Sequence, residues 1–300
     1  MNFVLIALCL LAGMALRSSR ILPENSHRGI NAWLLYVAMP AVTLLYIPEI
    51  RWSRALILPF VMPLLVWGGA WLTLRLSAGR LALERRTSAA LLLTAGLGNT
   101  SFVGFPLTQA YFGEEGLRIA VICDQVSFLA LSTLGVMTAL NASRGEGLGK
   151  RMILRNIVRF PPFLSFIAAL VVPRFVDFGP VNPLFAKLAA TLVPLALFSV
   201  GLQIRFSESR REAAPLALGL AYKLIAAPAI VFCAALAFRV GGVAAQASIF
   251  EAAMAPMVTS AILASEYGLN RRLSNLMVSV GLVLSLITTG FWFLVLKSIS

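Results

Sequence analysis

The sequence predicts an all-α membrane protein of ten transmembrane helices, arranged as two inverted five-helix repeats with broken, crossing fourth and ninth helices. Three observations lead there: the composition, the spacing of apolar runs, and a similarity between the two halves of the chain. Of the 300 residues, 59% are hydrophobic and only 12% carry charge. Soluble domains hold about 45–50% apolar and about 25% charged residues, and lipid-facing helices need the exchange of charge for Leu, Val, Ile and Phe. A water-soluble enzyme is excluded first. The net charge of +13 does not mark a nucleic-acid binder, because the basic residues form short clusters between apolar runs. A single histidine, His27, and three scattered cysteines leave no set of metal ligands or catalytic triad, and no cofactor is expected.

A helix crossing the hydrocarbon core needs about 20 mostly apolar residues. Such runs fall at 2–16, 29–48, 55–74, 87–112 and 118–141, then at 156–173, 187–204, 213–238, 243–266 and 273–297. The first is short, but no Lys or Arg precedes it and Arg17 and Arg20 follow it, which suits a retained span rather than a signal peptide. Seventeen of the 25 basic residues lie in the odd-numbered connections and seven in the even-numbered ones and at the C-terminus. By the positive-inside rule the odd connections are cytoplasmic, both termini lie outside, and the destination is the cytoplasmic membrane. The Gly- and Ser-containing stretch 141–155 reads as a cytoplasmic linker between repeats 1–140 and 156–300.

The halves resemble each other. Glu49-Ile-Arg-Trp-Ser53 matches Gln203-Ile-Arg-Phe-Ser207, and Pro40 falls on Pro194, both at an offset of 154; Tyr111-Phe-Gly113 matches Glu266-Tyr-Gly268 at 155. Five spans per half forces the halves into opposite senses across the bilayer, a plan typical of secondary transporters. Span four carries Gly98-Asn-Thr-Ser-Phe-Val-Gly-Phe-Pro106, and span nine carries Ala252-Ala-Met-Ala-Pro-Met-Val-Thr-Ser260. Proline and glycine at that depth break a helix, and broken backbone inside a membrane is tolerated only where protein or a cavity covers it. Half-helix N-termini aimed at the midplane would favour an anion. The candidate substrate-binding residues are therefore Asn99, Thr100, Ser101, Gly104, Pro106, Pro256, Thr259 and Ser260.

Three charges lie within spans. Asp124 and Glu251 sit about 10 Å deep and Lys223 about 15 Å deep, at about 1.5 Å rise per residue. Intramembrane charges are costly and face the bundle interior. Lys223 is either the partner of Asp124 or Glu251 in a structural ion pair, or the counter-charge of an anionic substrate. Asp124, Gln125 and Glu251 are the candidate ion-coupling group, with Asp124 as proton carrier; sodium would need an oxygen cage from Asn99, Ser101, Glu251 and freed carbonyls.

At these residues the chain resembles the auxin efflux carrier family. The likeness rests on Gly98–Leu107, on Leu192-Val-Pro-Leu-Ala-Leu-Phe-Ser-Val-Gly-Leu202, and on Glu251–Ala261 followed by Glu266-Tyr-Gly268. It covers essentially the whole chain. It implies a secondary transporter of small organic anions, a fold related to the bile acid:sodium symporters, Asn99 and Pro106 on the first crossing motif and Pro256 on the second. Ala252 and Ala253 stand where relatives carry polar residues, so that side offers backbone dipoles. The partners expected are a small organic anion, a coupling proton or sodium ion and the lipid bilayer, with no nucleic acid; lipid-facing Trp and Phe residues permit a homodimer. A membrane sensor that keeps the carrier fold without flux is the alternative, and no appended signalling domain supports it.

Overall fold

The computed structural model describes residues 2–299 except 20, 24, 51, 144–160 and 205–211. The expected linker, two of the basic clusters and parts of the Glu49/Gln203 match lie outside the described residues. Among those described the protein is all helix, with no strand beyond one antiparallel bridge. We label the helices in chain order: α1 (Asn2–Ser18), α2 (Ser26–Tyr46), α3 (Ile57–Leu81), α4 (Arg85–Gly96), α5 (100–112), α6 (114–143), α7 (Pro161–Arg174), α8 (Asn182–Gln203), α9 (Ala213–Phe238), α10 (Gly242–Ala252), α11 (Val258–Glu266) and α12 (Arg271–Ile299). Six stretches are long and apolar enough to cross a membrane: Ser26–Tyr46, Arg54–Ser77, Thr100–Ser143, Asn182–Gln203, Ala213–Phe238 and Arg271–Ser298.

Gly113 divides α5 from α6. Its φ of 69° lies in the left-handed region, where glycine carries no Cβ penalty. Gly268 ends α11 with a φ of 63°. The two glycines that match at an offset of 155 thus both take a positive φ, each just after the second piece of an interrupted run.

Proline explains three local widenings of the helices. Wide turns at Leu34–Ala38, Thr100–Gly104 and Tyr222–Ala226 each end two residues before a proline: Pro40, Pro106 and Pro228. A proline has no N–H to give to the carbonyl four residues back, and its ring clashes there. Passing through a wider turn relieves the clash but frees a carbonyl. For Pro228 that carbonyl belongs to Leu224, and it accepts the Trp292 indole N–H from α12 at 3.0 Å. The turn that carries Lys223 is thereby tied to the last helix.

The backbones of α1 and α8 pack tightly against each other. A Cβ on Gly13 would stand 3.0 Å from Gly201 Cα and 3.0 Å from the Leu202 nitrogen. Small residues let membrane helices gain dispersion energy along their backbones, since lipid supplies no hydrophobic drive between them. Elsewhere α10 packs on the run 105–130, and α3 covers α4. The interrupted runs are thereby enclosed on several sides.

Candidate functional site

Both interrupted runs lose their helix at the same point of the fold. Between α4 and α5 the chain is extended at Leu97–Asn99; between α10 and α11 it is irregular over 253–257. The segments pair as antiparallel backbone. The Asn99 N–H donates to the Ala255 carbonyl at 2.7 Å, and the Met257 N–H donates to the Leu97 carbonyl at 3.0 Å. Gly98 and Pro256 face each other between these bonds. Proline is tolerated here because the flanking residues supply both donors. Four backbone groups that would otherwise be orphaned in a membrane are satisfied.

Side chains complete the site. Asn99 caps α5, its Oδ1 accepting the Phe102 N–H at 3.1 Å. The Thr100 hydroxyl donates to Asp124 Oδ1 at 2.6 Å, which sets the buried Asp124 at the N-terminal turn of α5. Lys223 is fully buried and donates to the Ala252 carbonyl at 2.6 Å, at the C-terminal end of α10. It forms no ion pair with Asp124 or Glu251, so the ion-pair reading of Lys223 is replaced by a different arrangement. The N-terminal turn of a helix carries partial positive charge and the C-terminal end partial negative charge. Here the carboxylate meets the first and the ammonium meets the second, and helix ends do the work of counter-ions.

Glu251, the second-last residue of α10, is fully buried. Its Oε1 accepts the Thr108 hydroxyl at 2.6 Å, while its Oε2 is buried with no hydrogen-bond partner. Gly104 presses against it, since a Cβ there would stand 2.8 Å from Oε1 and 2.9 Å from Cδ. Gln125 is also buried, with neither amide atom partnered. A buried polar atom left unmade costs about 1–3 kcal/mol, and such groups in a native fold call for a role. Ser260 is buried and turned onto the Met257 carbonyl at 2.7 Å, Thr259 is exposed, and Ser101 is half-buried. No group of His, Cys, Asp or Glu among the described residues could hold a metal ion.

Two cavities flank α8. One of about 10 Å³, room for a single water, is lined by Asn99, Ala255 and Pro256 with Gln203 of α8 and Ser279 of α12. The other holds about 340 Å³, within the range of small-molecule sites, and lies among α1, α2, α5 and α8. It reaches Pro106 and is otherwise mostly apolar, with the Tyr46 and Gln109 side chains as its polar features. Of the candidate residues, Pro106 lines the larger space and Asn99 and Pro256 the smaller; Lys223, Thr259 and Ser260 line neither. Gln109 and Tyr46 escaped the sequence reading. Gln109 was findable, because it stands three residues after Pro106 and shares its helix face. Above Tyr46 the Arg118 guanidinium lies 6.0 Å from the ring centre and pairs with Glu49, which places one cation beside the cavity.

Comparison with known proteins matches residues 3–293 to the family described as membrane transport proteins. The chain is 28% identical over 291 residues to an uncharacterized transporter of Methanothermobacter thermautotrophicus, covering 95% of this chain and 94% of that one. It is 26% identical over 302 residues to an uncharacterized transporter of Methanocaldococcus jannaschii, covering 97% of each.

Proposed function

The chain belongs to this membrane transport protein family, the family of the auxin efflux carriers, and from that premise we propose that it is a secondary transporter of small organic anions, carboxylates among them. It works by alternating access across the cytoplasmic membrane, with ten spans in two inverted five-helix repeats and both termini outside. The observation that carries the reading is the antiparallel pairing at Gly98 and Pro256, with a substrate-sized cavity reaching the same broken run at Pro106. The repeat draws support from the positive φ shared by Gly113 and Gly268.

The substrate enters the larger cavity and its carboxylate meets the crossing. Asn99 is the decisive contact: its Oδ1 is committed to the cap, while no protein group takes its Nδ2, which is left for an anion. Thr100, Ser101, Gly104, Pro106 and Pro256 shape the backbone around it. The 10 Å³ at Asn99 is too small for any carboxylate, so α8 and the crossing must separate during the cycle. Counterflow of a carboxylate panel in liposomes tests this. Asn99→Ala should lower transport about 10–100-fold, the worth of one hydrogen bond to a charged group, and cost about 1 kcal/mol of stability through the lost cap. Undiminished transport by a folded Asn99→Ala protein would remove the crossing as the site.

Coupling is assigned to a proton, with Asp124 as its carrier and Gln125 and Glu251 beside it. Asp124 is buried and linked through Thr100 to the first turn of α5, so its protonation changes the charge felt by the crossing. Asp124→Asn should carry substrate in exchange yet fail to follow an imposed pH gradient. If that variant still follows the gradient, or if the wild type ignores pH and requires sodium, Asp124 is not the coupling residue.

A further inference from the structure

A third cavity lies away from the crossing, at one end of the spans. It holds about 330 Å³ where α3, α4 and α6 converge. Its floor is apolar, formed by Leu74, Ala89 and Leu92. Its rim carries two arginines from different helices. Arg75, in the last turns of α3, lies 5.2 Å from the centre of the Trp71 ring. Arg85, the first residue of α4, donates to the main-chain carbonyl of Asn141 in the last turn of α6. None of the lining residues is acidic. The N-cap of α4 is Glu84, which makes no side-chain capping bond and does not line the cavity, so the positive charge of the site rests on the two arginines.

We propose that this cavity binds the phosphate headgroup of an anionic phospholipid. A soluble phosphate would use the two guanidinium groups alone. The surroundings ask for more. Trp71 is 48% exposed, and next to it Leu72 and Leu76 are 51% and 69% exposed on the outer face of α3. Tryptophan favours the boundary between hydrocarbon and headgroup, and basic pockets between helices at that boundary take lipid phosphates. The headgroup sits between Arg75 and Arg85, and an acyl chain runs down past Trp71. Two Arg forks suit phosphate better than lysines would, because each presents paired N–H donors in one plane. Such a lipid would also fasten the root of α4, which leads directly into the break at Leu97–Asn99. The assignment is independent of what the crossing carries.

The test uses the full-length protein in detergent, with thermal unfolding followed as phosphatidylglycerol, phosphatidylcholine or inorganic phosphate is added. A ligand that binds only the folded state raises the midpoint, and the more so the further its concentration exceeds its dissociation constant. Phosphatidylglycerol should raise the wild-type midpoint clearly above the phosphatidylcholine value, and Arg75→Gln/Arg85→Gln should abolish the difference. Native mass spectrometry should show phosphatidylglycerol retained on the wild type and lost from Arg75→Gln alone, which keeps the test open if the double variant does not fold. Equal stabilisation by phosphatidylcholine, an undiminished response in the variants, or a shift reproduced by inorganic phosphate alone would each overturn the lipid assignment.

Discussion

Gly201→Val should cost about 3 kcal/mol, the upper part of the range for forcing atoms into a packed interior. At Gly201 a Cβ would lie 3.1 Å from Gly13 Cα and 3.2 Å from the Leu10 carbonyl carbon, with the Leu10 carbonyl oxygen closer still. These are main-chain atoms of α1, so no side-chain rotation relieves the clash and α1 must move bodily away from α8. The same two helices wall the large cavity, and its shape would change with them. Thermal unfolding of purified protein should show a large drop in midpoint. Gly68→Ala is the control with the opposite sign. Nothing lies within 4 Å of a Cβ there, and alanine is favoured over glycine inside a helix by about 1 kcal/mol. Equal stability of Gly201→Val and the wild type would mean that the glycine seam is not a tight contact.

Lys223→Met should lose about 2–3 kcal/mol and most of the transport. The methionine fills the space, but the Ala252 carbonyl loses a donor that is charged, and hydrogen bonds to charged groups are worth about 1.5–3 kcal/mol. The amine also lies near Gly98, 3.1 Å from where a Cβ would stand, so it sits between the end of α10 and the broken run at 97–99. Adding Glu251→Gln separates two roles. With the nearby acid neutralised, the bundle no longer holds a negative charge without its positive neighbour, and part of the stability should return. Transport should not return, because the end of α10 is still uncapped. Recovery of stability and transport together in the double variant would show that Lys223 only balances charge.

Much of this arrangement could be read from residue order, because it rests on local chemistry. Pro106 with Gly98 and Gly104 marks an interruption in span four whatever surrounds it. Gly113, which lies between the expected runs 87–112 and 118–141, is where the chain takes a positive φ and α5 gives way to α6. The partner of Lys223 could not be read in the same way. Sequence offers Asp124 and Glu251 as opposite charges, and the amine instead meets a carbonyl at a helix end. That partner is a property of the backbone, so no side-chain type announces it. The large cavity was equally hidden, since apolar residues from α1, α2 and α8 line it and resemble any other lipid-facing surface until their packing is known. Prolines marked where the helices widen, but only the fold shows Trp292 receiving the carbonyl that Pro228 releases.

The pairing at Gly98 and Pro256 also sets a clock for manufacture. The ribosome finishes Asn99 156 residues before it reaches Ala255. At about 5–20 residues per second the delay is roughly 8–30 s. Throughout it the Leu97 carbonyl and the Asn99 amide have entered the insertion machinery without the partners they will keep. Neither group can rest against acyl chains at that price in hydrogen bonding. The first half must therefore wait beside water or a helper protein until the second half arrives, and the pairing is completed only after Met257 has been translated.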